Sequence, residues 1–407
     1  MIRTIENCRK DFPALQRQYN GRNIVYLDGP AGTQVPTLVI DAISDYYKTS
    51  NANTHGQFIT TQETDVIMSG VRSKVADFLG APNGSTISFG QNMTTLNYSL
   101  SRAIGRILKS GDEIIITQLD HEANRGPWLS LKEWGIEVIE VEMYPEGVLN
   151  YEDFESKINE RTKLVAVGGA SNLTGTVNDL ALIRKLTNEV GAWLLVDAVH
   201  LAPHIPIDVV EMDCDFLLCS AYKFYGPHIG LIYSKPGLLK SLPTDRLITQ
   251  EQEAPYRIET GTLNHAAIAG VGAAVDYIES FGVGDTCRKR LINAMTKIRN
   301  YEHDLGNKLY DGLKQIPGIQ IKGLSFEQMS RTPTISFFTL QITSEEICNR
   351  LGSNGICAWD GHFYARRGVE VMGLLDKGGV TRMGISVYNT DEEIDYTSEA
   401  ITQMMTK

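Results

Sequence analysis

Between residues 70 and 235, short apolar runs alternate with stretches whose apolar residues recur at helical spacing. Four apolar runs of five residues each are typical of strands buried on both faces of a sheet. The stretch at residues 180–190 has the period of an amphipathic helix, and Gly191 after it is a typical helix stop. The alternation predicts right-handed βαβ units around a mainly parallel sheet. The runs are EIIIT (113–117), KLVAV (163–167), WLLVD (193–197) and DFLLC (215–219).

The pattern changes in the last third of the chain. A charged helical stretch, residues 287–315, precedes the strand-like segments TISFFTLQ (334–341) and GGVTRMGIS (378–386). Such an order of helices and strands is typical of a small α+β domain. We therefore expect a large domain over residues 22–270, a small domain built from residues 1–21 and 285–407, and a connecting segment over residues 271–284.

Composition and charge limit the classes of protein to which the chain can belong. The 407 residues are 42% hydrophobic and 21% charged, as in an ordinary globular protein. A formal net charge of −11 disfavours binding to nucleic acid or to an anionic membrane, and no apolar run has membrane-spanning length. The N-terminus lacks the apolar core of a secretory signal, and the six cysteines include no C-x-x-C pair. We expect a cytoplasmic protein with neither disulfides nor a metal site.

Polar side chains follow the predicted strands at their carboxyl ends. Taken alone, a histidine there fits a loop, an asparagine a turn and an aspartate a helix cap. A lone lysine usually lies at the surface, but Lys223 stands between two aromatic residues. Because ligands bind beyond the carboxyl ends of strands in open α/β sheets, the convergence of several such residues predicts a binding site. In chain order they are His121, Asn172, Asp197, Ser220, Tyr222 and Lys223.

A predicted helix start supplies a place for an anion. Residues 96–108 carry apolar side chains at helical spacing, so residues 92–95 lie at the N-terminus of this helix. Free backbone N–H groups, the positive end of the helix dipole and the hydroxyls of Thr94 and Thr95 suit a phosphate group. Simple N-capping explains the segment equally well. The segment lacks the signature of a nucleotide-binding loop.

A phosphate site, a buried carboxylate, a histidine and a lysine together suggest one cofactor, pyridoxal phosphate. Its aldehyde reacts with a lysine amine, and a carboxylate facing its pyridine nitrogen keeps the ring protonated as an electron sink. Burial among aromatic residues lowers the pKa of a lysine and so favours its reactive neutral form. These requirements predict Lys223 as the nucleophile, with Ser220 and Tyr222 as hydrogen-bond donors to the phosphate.

Several motifs in the chain match one family in order and spacing. On these motifs the sequence resembles the class V aminotransferase family, within it the cysteine desulfurase and selenocysteine lyase branch, from YLDGPAGTQVP (26–36) to RMGISVYNTDEEID (382–395). The resemblance implies fold type I of the pyridoxal phosphate enzymes, an α/β fold with a large domain around a mainly parallel sheet and a smaller α+β C-terminal domain. It also implies an amino-acid substrate and a homodimer with both active sites at the interface. The other motifs are NANTHG (51–56), DHEANRGPW (120–128), SNLTGT (171–176), VDAVH (196–200), SAYKFYGP (220–227) and ETGTLN (259–264).

The same resemblance implies roles for individual residues. Lys223 would be the catalytic Schiff-base lysine, Asp197 the partner of the pyridine nitrogen, and His121 a catalytic residue stacked on the ring. Arg382 would bind the substrate carboxylate, a task suited to a bidentate guanidinium. Thr262 would reach the phosphate bound by the neighbouring subunit. The remaining cofactor contacts would be Met93, Thr94, Asn172, His200, Ser220 and Tyr222, and the remaining substrate contacts Ala31, His55 and Tyr364.

One motif departs from the family in a way that bears on the reaction. Where the desulfurases carry a pattern like R-x-G-H-H-C-A, this chain has AWDGHFYA (358–365). Trp359 takes the place of the arginine, and Tyr364 that of the cysteine that accepts sulfur. Cys357 is expected to be a small core residue in a strand, since a reactive cysteine needs an exposed, electropositive setting. Arg125 is unusual within its motif; it could face the substrate, but a position at the solvated surface is expected.

Loss of the sulfur-accepting cysteine favours elimination over sulfur transfer. When a lysine takes the α-proton, a β-substituent can leave, which gives pyruvate and ammonia. We therefore expect a C–S β-lyase that acts on cysteine conjugates or cysteine sulfoxides. The alternatives are a class V aminotransferase or amino-acid epimerase, a cysteine desulfurase with an unusual cysteine, and a non-catalytic partner in sulfur handling. Specificity is expected in residues 249–259 and 358–370, with the side chains of Arg257, Trp359, Asp360, His362, Tyr364, Arg366 and Arg367.

Overall fold

The computed structural model of the chain describes residues 3–327 and 331–405 as a succession of helices and strands. The helices are α1 (Thr37–Thr49), α2 (Ile59–Leu79), α3 (Met93–Gly105), α4 (Glu122–Leu129), α5 (Tyr151–Lys157), α6 (Leu180–Val190), α7 (Leu238–Ser241), α8 (His265–Glu279), α9 (Cys287–Lys314), α10 (Ser344–Ser353), α11 (Arg366–Val371) and α12 (Asp391–Met405). The strands are β1 (Gln18–Tyr19), β2 (Arg22–Asn23), β3 (Val25–Tyr26), β4 (Ile87–Gly90), β5 (Glu113–Thr117), β6 (Glu137–Val141), β7 (Met143–Tyr144), β8 (Val148–Leu149), β9 (Thr162–Gly168), β10 (Trp193–Asp197), β11 (Phe216–Ser220), β12 (Gly230–Ser234), β13 (Ile319–Lys322), β14 (Thr334–Thr339), β15 (Ile356–Cys357), β16 (Trp359–Gly361) and β17 (Val380–Gly384).

Seven strands form the central sheet, in the order β4-β12-β11-β10-β9-β5-β6. Neighbouring strands are parallel from β11 to β6, and β12 runs antiparallel to both of its neighbours. The mainly parallel sheet predicted from the sequence is therefore confirmed, and β9 and β11 differ from the predicted runs by one residue at each end. Because β5, β9, β10 and β11 are parallel, their carboxyl ends lie at one edge of the sheet.

Successive residues of the central strands pack into two different hydrophobic cores, one on each face of the sheet. In β5, Ile114 and Ile116 belong to the core that contains α3 residues and Trp128. Ile115, between them, belongs to the core that contains residues of α2 and α8. This alternation follows from the two-residue period of a strand. Helices thus cover both faces, which explains why every residue of β5 is buried.

The predicted helices lie where the sequence pattern placed them. Helix α6 has the predicted bounds: Asp179 caps it by accepting a hydrogen bond from the Leu182 N–H at 2.9 Å, and it ends at Gly191 with φ +70°. That left-handed conformation favours glycine, as the sequence pattern required. Helix α9 matches the predicted charged helix to within one residue. No helix within the described ranges is both long and apolar enough to cross a membrane.

The C-terminal part of the chain builds a second sheet, antiparallel throughout, in the order β13-β14-β17-β16. Apolar side chains of α9, α10 and α12 pack with it into a third core. Strand β3, near the N-terminus, pairs in parallel with β15, and its residue Val25 belongs to this third core. Both ends of the chain thus contribute to one structural unit. The exact division of the chain into domains stays a prediction.

Candidate active site

A cavity opens at the carboxyl edge of β5, β9, β10 and β11. The sequence predicted that polar side chains following these strands lie close together, and the structure brings them to this cavity. Their proximity follows from the parallel order of the strands. The predicted residues that line it are Met93, Thr94, His121, Asn172, Asp197, His200, Ser220, Tyr222 and Lys223.

Lys223 lies at the end of the 3-10 turn Ala221–Lys223, which follows β11 directly. Its side chain is buried, and its Nζ donates a hydrogen bond to the carbonyl oxygen of Pro30. Burial, together with the positive charge of Arg382, lowers the pKa of Lys223 to about 7. A large fraction of the amine is therefore neutral near pH 7, and the neutral amine is the form that acts as a nucleophile or a base.

Asp197 ends β10 and accepts a hydrogen bond from the Val199 N–H at 2.9 Å. Burial raises the pKa of this carboxyl to about 7, and the negative charge of Asp120 acts in the same direction. The carboxylate form therefore gains most from a cation placed beside it in the cavity. The sequence analysis missed Asp120, which accepts a hydrogen bond from the Gly168 N–H at 2.5 Å. Its place shortly after the buried strand β5 and directly before His121 was the available signal.

His121 caps the N-terminus of α4, where its Nδ1 accepts a hydrogen bond from the Ala123 N–H at 3.0 Å. The proton of the neutral imidazole is therefore on Nε2. Burial, with the charges of Lys223 and Arg382, lowers the pKa of His121 to about 3. His121 thus presents an uncharged aromatic ring to the cavity, as stacking on a cofactor ring requires.

Asn172 and His200 place polar atoms on the cavity wall. The Nδ2 of Asn172 donates to the carbonyl oxygen of Phe363 at 2.9 Å, whereas its Oδ1 is buried without a hydrogen-bond partner among the described residues. The Nε2 of His200 is hydrogen-bonded to Oγ1 of Thr334 at 2.9 Å, and burial lowers the pKa of His200 well below its ordinary value. An unpaired buried amide oxygen is costly, so a ligand that donates a hydrogen bond to Asn172 gains affinity.

The anion site predicted at a helix start coincides with the N-terminus of α3. Asn92 caps the helix, its Oδ1 accepting from the Thr95 N–H at 2.9 Å, and Oγ of Ser220 accepts from the Met93 N–H at 3.2 Å. Thr94 lies between these residues, exposed at the cavity. The positive end of the helix dipole and the hydroxyl groups of Thr94 and Ser220 favour an anion here. N-capping and anion binding are therefore compatible rather than alternative.

Arg382, on β17, lies beside this cavity. Its Nη1 donates to the carbonyl oxygen of Asn172 at 3.1 Å, its Nη2 lies 3.6 Å from Oδ1 of Asp28, and the ring centre of Phe363 is 4.0 Å from its guanidinium carbon. Within the part of the chain that the structure describes, its Nε is buried without a partner. The guanidinium therefore has unused donors for a carboxylate. Asp28 was not identified from the sequence, although it lies in the first motif.

His55 and Thr262 do not lie in this cavity. Both line a second, more open cavity together with Tyr256 and the buried pair Arg72 and Glu259. Within this single chain, the structure therefore does not place them with Lys223. These contacts stay predictions.

Ala31 lies on the outer side of the cavity wall, next to Thr94 and Tyr222. The ring of Tyr222 stacks on His228, with the ring centres 4.6 Å apart and the planes at 10°. Nothing in this arrangement tests a substrate contact of Ala31, which stays a prediction.

Residues 361–365 form a turn beside His121. Phe363 and Tyr364 both adopt left-handed backbone conformations, with φ of 51° and 58°. Such conformations cost of order 1–3 kcal/mol each in residues with side chains and persist where surrounding contacts impose them. Here the carbonyl oxygen of Tyr364 accepts from the Glu122 N–H at 2.7 Å. The turn is therefore fastened to the start of α4, next to the cavity.

Cys357 lies in β15, so its predicted place in a strand is confirmed, but it is only half-buried, so its predicted place in the core is wrong. Burial raises the pKa of its thiol, and the charge of Asp28 acts in the same direction. A thiol in such a setting is a poor nucleophile.

The surface position predicted for Arg125 is wrong. Its guanidinium is buried, donates to the carbonyl oxygen of Thr117, and pairs with Glu140 at 2.5 Å. Arg367 pairs with the same carboxylate at 2.9 Å, and Arg257 donates to the carbonyl oxygen of Leu242 at 3.1 Å. These three arginines make structural contacts in this chain.

The residues around the cavity fit pyridoxal phosphate. Lys223 offers a partly neutral amine, and the buried carboxyl of Asp197 needs a cation such as a protonated pyridine nitrogen. The unpaired Oδ1 of Asn172 needs a donor, such as a hydroxyl group on the ring. The N-terminus of α3 suits the phosphate. These needs coincide with the polar groups of one cofactor.

Comparison with known proteins gives an independent result. The profile of the family "Aminotransferase class-V" matches residues 25–397. The chain is 33% identical over 405 residues to a probable cysteine desulfurase of Synechocystis sp.. The alignment covers 95% of this chain and 92% of that protein. It is 32% identical over 416 residues to a cysteine desulfurase of Salmonella gallinarum, with 98% of each chain covered.

Solved structures show the same similarity. The apo structure of cysteine desulfurase from Thermococcus onnurineus NA1 superposes with a TM-score of 0.89 at 26% identity, covering 100% of this chain and 99% of that one. A cysteine desulfurase from Escherichia coli in an S-sulfonic acid form superposes with a TM-score of 0.86 at 26% identity and the same coverage. The similarity thus extends over the whole chain.

Proposed function

Because the chain belongs to the aminotransferase class-V family, we propose that it cleaves the bond between Cβ and sulfur in S-substituted cysteines and cysteine sulfoxides. The protein is a pyridoxal phosphate-dependent, cysteine desulfurase-like enzyme, and the proposal concerns its reaction. The reaction is a β-elimination that releases a sulfur compound, pyruvate and ammonia. It transfers no sulfur to the protein.

The state of the thiols carries this proposal. Sulfur transfer requires a thiolate that attacks the sulfur of the substrate, whereas elimination requires no protein thiol. Burial raises the pKa of every cysteine in the chain, so each is a protonated thiol near pH 7. In the turn beside His121, Tyr364 occupies the place that the family gives to the attacking cysteine. The cysteines are Cys8, Cys214, Cys219, Cys287, Cys348 and Cys357.

Three side chains would hold the cofactor and the substrate in place. The bound cofactor withdraws electrons from the α-carbon of the substrate. Asp197 would pair with the protonated pyridine nitrogen and so maintain that withdrawal. Arg382 would bind the α-carboxylate through its unused donors, and the neutral ring of His121 would pack against the cofactor without adding charge.

Lys223 would act as the base. Its Nζ accepts the α-proton because burial keeps a large fraction of the amine neutral near pH 7. The electron pair left on Cα forms the Cα=Cβ double bond while the Cβ–S bond breaks, and sulfur leaves with the bonding pair. The sulfur anion then takes a proton. The released 2-aminoacrylate adds water and loses ammonia to give pyruvate, so no external oxidant or reductant is needed.

We further infer that the enzyme is a homodimer in which each subunit completes the site of the other. His55 and Thr262 line a cavity separate from that of Lys223, which supports a role for them in the active site of the partner subunit. Large apolar side chains on and next to α1 and α2 are exposed, which is typical of a surface that binds another protein. Light scattering on the purified protein tests the dimer, and a monomeric mass contradicts it. The exposed side chains include Tyr47, Phe58, Ile59 and Val66.

We also propose a cytoplasmic location. The cysteines of the chain are free thiols, as is usual in a reducing compartment. Fractionation of cells that express the tagged chain tests this location, and recovery outside the cytoplasmic fraction contradicts it.

The reaction is tested by its products. The cofactor-loaded protein is incubated with L-cysteine, S-methyl-L-cysteine and L-cysteine sulfinate, and pyruvate and alanine are quantified. Pyruvate with an equal amount of ammonia supports elimination, whereas alanine from L-cysteine contradicts it because alanine forms only when sulfur is transferred. Lys223→Ala should abolish pyruvate formation. Cys357→Ser should retain it, since Cys357 has no part in the proposed reaction.

A further inference from the structure

The turn that contains Phe363 and Tyr364 borders the mouth of the active-site cavity with aromatic rings. Trp359 pairs directly with Arg382 across the antiparallel strands β16 and β17, and directly opposed residues project from the same face of a sheet. Phe363 packs on the guanidinium of Arg382 at 4.0 Å. The ring of Tyr364 lies 5.5 Å from that of His121, with 37° between the planes. Rings thus border both Arg382 and His121.

Hydrogen bonds fix this turn relative to the cavity. The carbonyl oxygen of Phe363 accepts from Nδ2 of Asn172 at 2.9 Å, and the carbonyl oxygen of Tyr364 accepts from the Glu122 N–H at 2.7 Å. Within the turn, the Ala365 N–H donates to the carbonyl oxygen of His362 at 2.7 Å. Two left-handed residues in succession are held by these contacts. The rings are therefore presented at the cavity from a fixed backbone.

Two of the three rings are open to a ligand. Trp359 is 55% exposed and Tyr364 is 68% exposed, although tryptophan and tyrosine usually bury a large part of their surface. Phe363 is partly buried against Arg382. An apolar, aromatic surface that borders a cavity with a few polar groups is typical of a binding site for a small molecule. The exposed rings thus continue the active site outward.

We propose that Trp359 and Tyr364 form an aromatic subsite for the β-substituent of the substrate, so that the preferred substrates are cysteine S-conjugates with a planar aromatic group on sulfur. The inference rests on the proposed β-elimination. An amino acid whose carboxylate is held by Arg382 and whose α-carbon faces Lys223 has its β-substituent as the remaining group to extend outward. The exposed rings are the surface that this group meets.

The chemistry of the two rings explains the choice of an aromatic group. Aromatic pairs gain stability beyond that of the area they bury, and a thioether sulfur also packs favourably against a ring edge. An S-methyl group provides the sulfur but no ring. A planar substituent therefore gains contacts that a small alkyl substituent lacks. An arylthiolate is also a better leaving group than an alkylthiolate because its conjugate acid is stronger.

The test compares S-phenyl-L-cysteine with S-methyl-L-cysteine. The ratio of their kcat/KM values should be about 10 or more in the cofactor-loaded enzyme, and Tyr364→Asn should lower this ratio about tenfold. Asparagine tolerates the left-handed backbone of this position, so the variant removes the ring and keeps the turn. Tyr144→Asn, at another exposed tyrosine outside the site, is the matched control and should leave the ratio unchanged. A ratio near 1, or one that Tyr364→Asn does not alter, overturns the inference.

A binding measurement separates this inference from the proposed reaction. 3-Phenylpropanoate carries a carboxylate and a phenyl ring but no amino group, so it cannot react. It should bind the cofactor-loaded enzyme about tenfold more tightly than propanoate, and Tyr364→Asn should abolish the difference. If no S-conjugate is cleaved but this difference is found, the proposed reaction fails and the aromatic subsite stands. If pyruvate forms without any aromatic preference, the reaction stands and the subsite fails.

Discussion

The carboxylate of Asp28 lies 3.6 Å from the guanidinium of Arg382, and both side chains are buried. Burial raises the pKa of Asp28 to about 6 and lowers that of Arg382 to about 10, although each charge favours the ionised form of the other. The attraction between the two charges therefore does not fully offset the cost of burying them. A substrate carboxylate that binds Arg382 adds the hydrogen bonds that Asp28, at this distance, does not provide.

Arg382→Ala should raise KM for amino-acid substrates about 100-fold, because a charge-assisted, bidentate contact with the substrate carboxylate is lost. The KM of Arg382→Lys should lie between that of Arg382→Ala and that of the parent enzyme, since an ammonium group is a point charge without the planar fork of a guanidinium. Steady-state kinetics on an S-substituted cysteine measure both. Arg350→Ala, which removes a half-exposed arginine paired with Glu346, is the control. An unchanged KM in Arg382→Ala places the carboxylate elsewhere.

Lys223→Ala should prevent the covalent attachment of pyridoxal phosphate. The buried amine that reacts with the aldehyde is removed, and no second lysine lines this cavity within the described residues. Reduction with borohydride followed by peptide mass spectrometry measures the attachment. Lys235→Ala, at a lysine paired with Asp213, should retain it. Attachment that survives in Lys223→Ala would falsify the assignment of this lysine.

Asp197→Asn should stabilise the cofactor-free protein at high pH. The folded-state pKa of Asp197 is about 7, above the ordinary value of 3.8, so between pH 4 and pH 7 the folded state retains a proton that the unfolded state releases. Stability therefore falls as the pH rises through this window, and the loss is complete above about pH 7. Asparagine does not titrate and keeps an oxygen for the Val199 N–H.

The expected gain of Asp197→Asn is roughly 2–4 kcal/mol at pH 8 and close to zero at pH 4. Urea unfolding of the apo-protein at both pH values measures it. The same variant should bind pyridoxal phosphate more weakly, because a neutral amide does not pair with a protonated pyridine nitrogen. An equal effect at the two pH values contradicts the titration of Asp197 as its cause.

Arg72→Met should destabilise the protein by about 3–5 kcal/mol, because it leaves the buried carboxylate of Glu259 uncompensated. Arg72 donates two hydrogen bonds of 2.7 Å to Glu259, which also accepts from the Phe89 N–H at 2.7 Å. Lys48→Met, which removes an exposed pair with Asp45, should cost less than 1 kcal/mol.

The double variant Arg72→Met/Glu259→Gln separates charge burial from packing. It should be more stable than Arg72→Met, since no buried charge is left unpaired. Denaturant unfolding of the two variants side by side decides the point. A double variant that is less stable than Arg72→Met would show that side-chain packing, and not the unpaired charge, dominates the cost.

Much of the cofactor side of the site could be predicted from the sequence because it depends on local patterns. A buried strand, its end and the next polar residue are adjacent in the chain, as for Asp197 at the end of β10. Once the strands are parallel, their ends meet without further information. The same holds for Asn92 at the start of α3, where cap and helix are consecutive.

Contacts between distant segments could not be predicted in this way. Arg125 was expected at the surface, but the neighbouring strand β6 places Glu140 against it and β5 supplies a carbonyl oxygen. The role of Asp28 depends on its ion pair with Arg382, which lies 354 residues further along the chain. The left-handed backbone of Phe363 and Tyr364 is imposed by contacts with other segments. No pattern of neighbouring residues in the sequence identifies these contact partners.

The pairing of β3 with β15 has a consequence for synthesis on the ribosome. Val25 pairs with Ile356, so β3 cannot form this pairing until more than 330 further residues have been synthesised. At common rates of elongation this takes roughly 20–70 s. The seven-stranded sheet ends at Ser234 and is available long before. The arginine that would hold the substrate arrives last. The strands whose ends border the cofactor cavity are therefore synthesised well before the group that would recognise an amino acid, and Asn172 and His200 gain their partners Phe363 and Thr334 only afterwards.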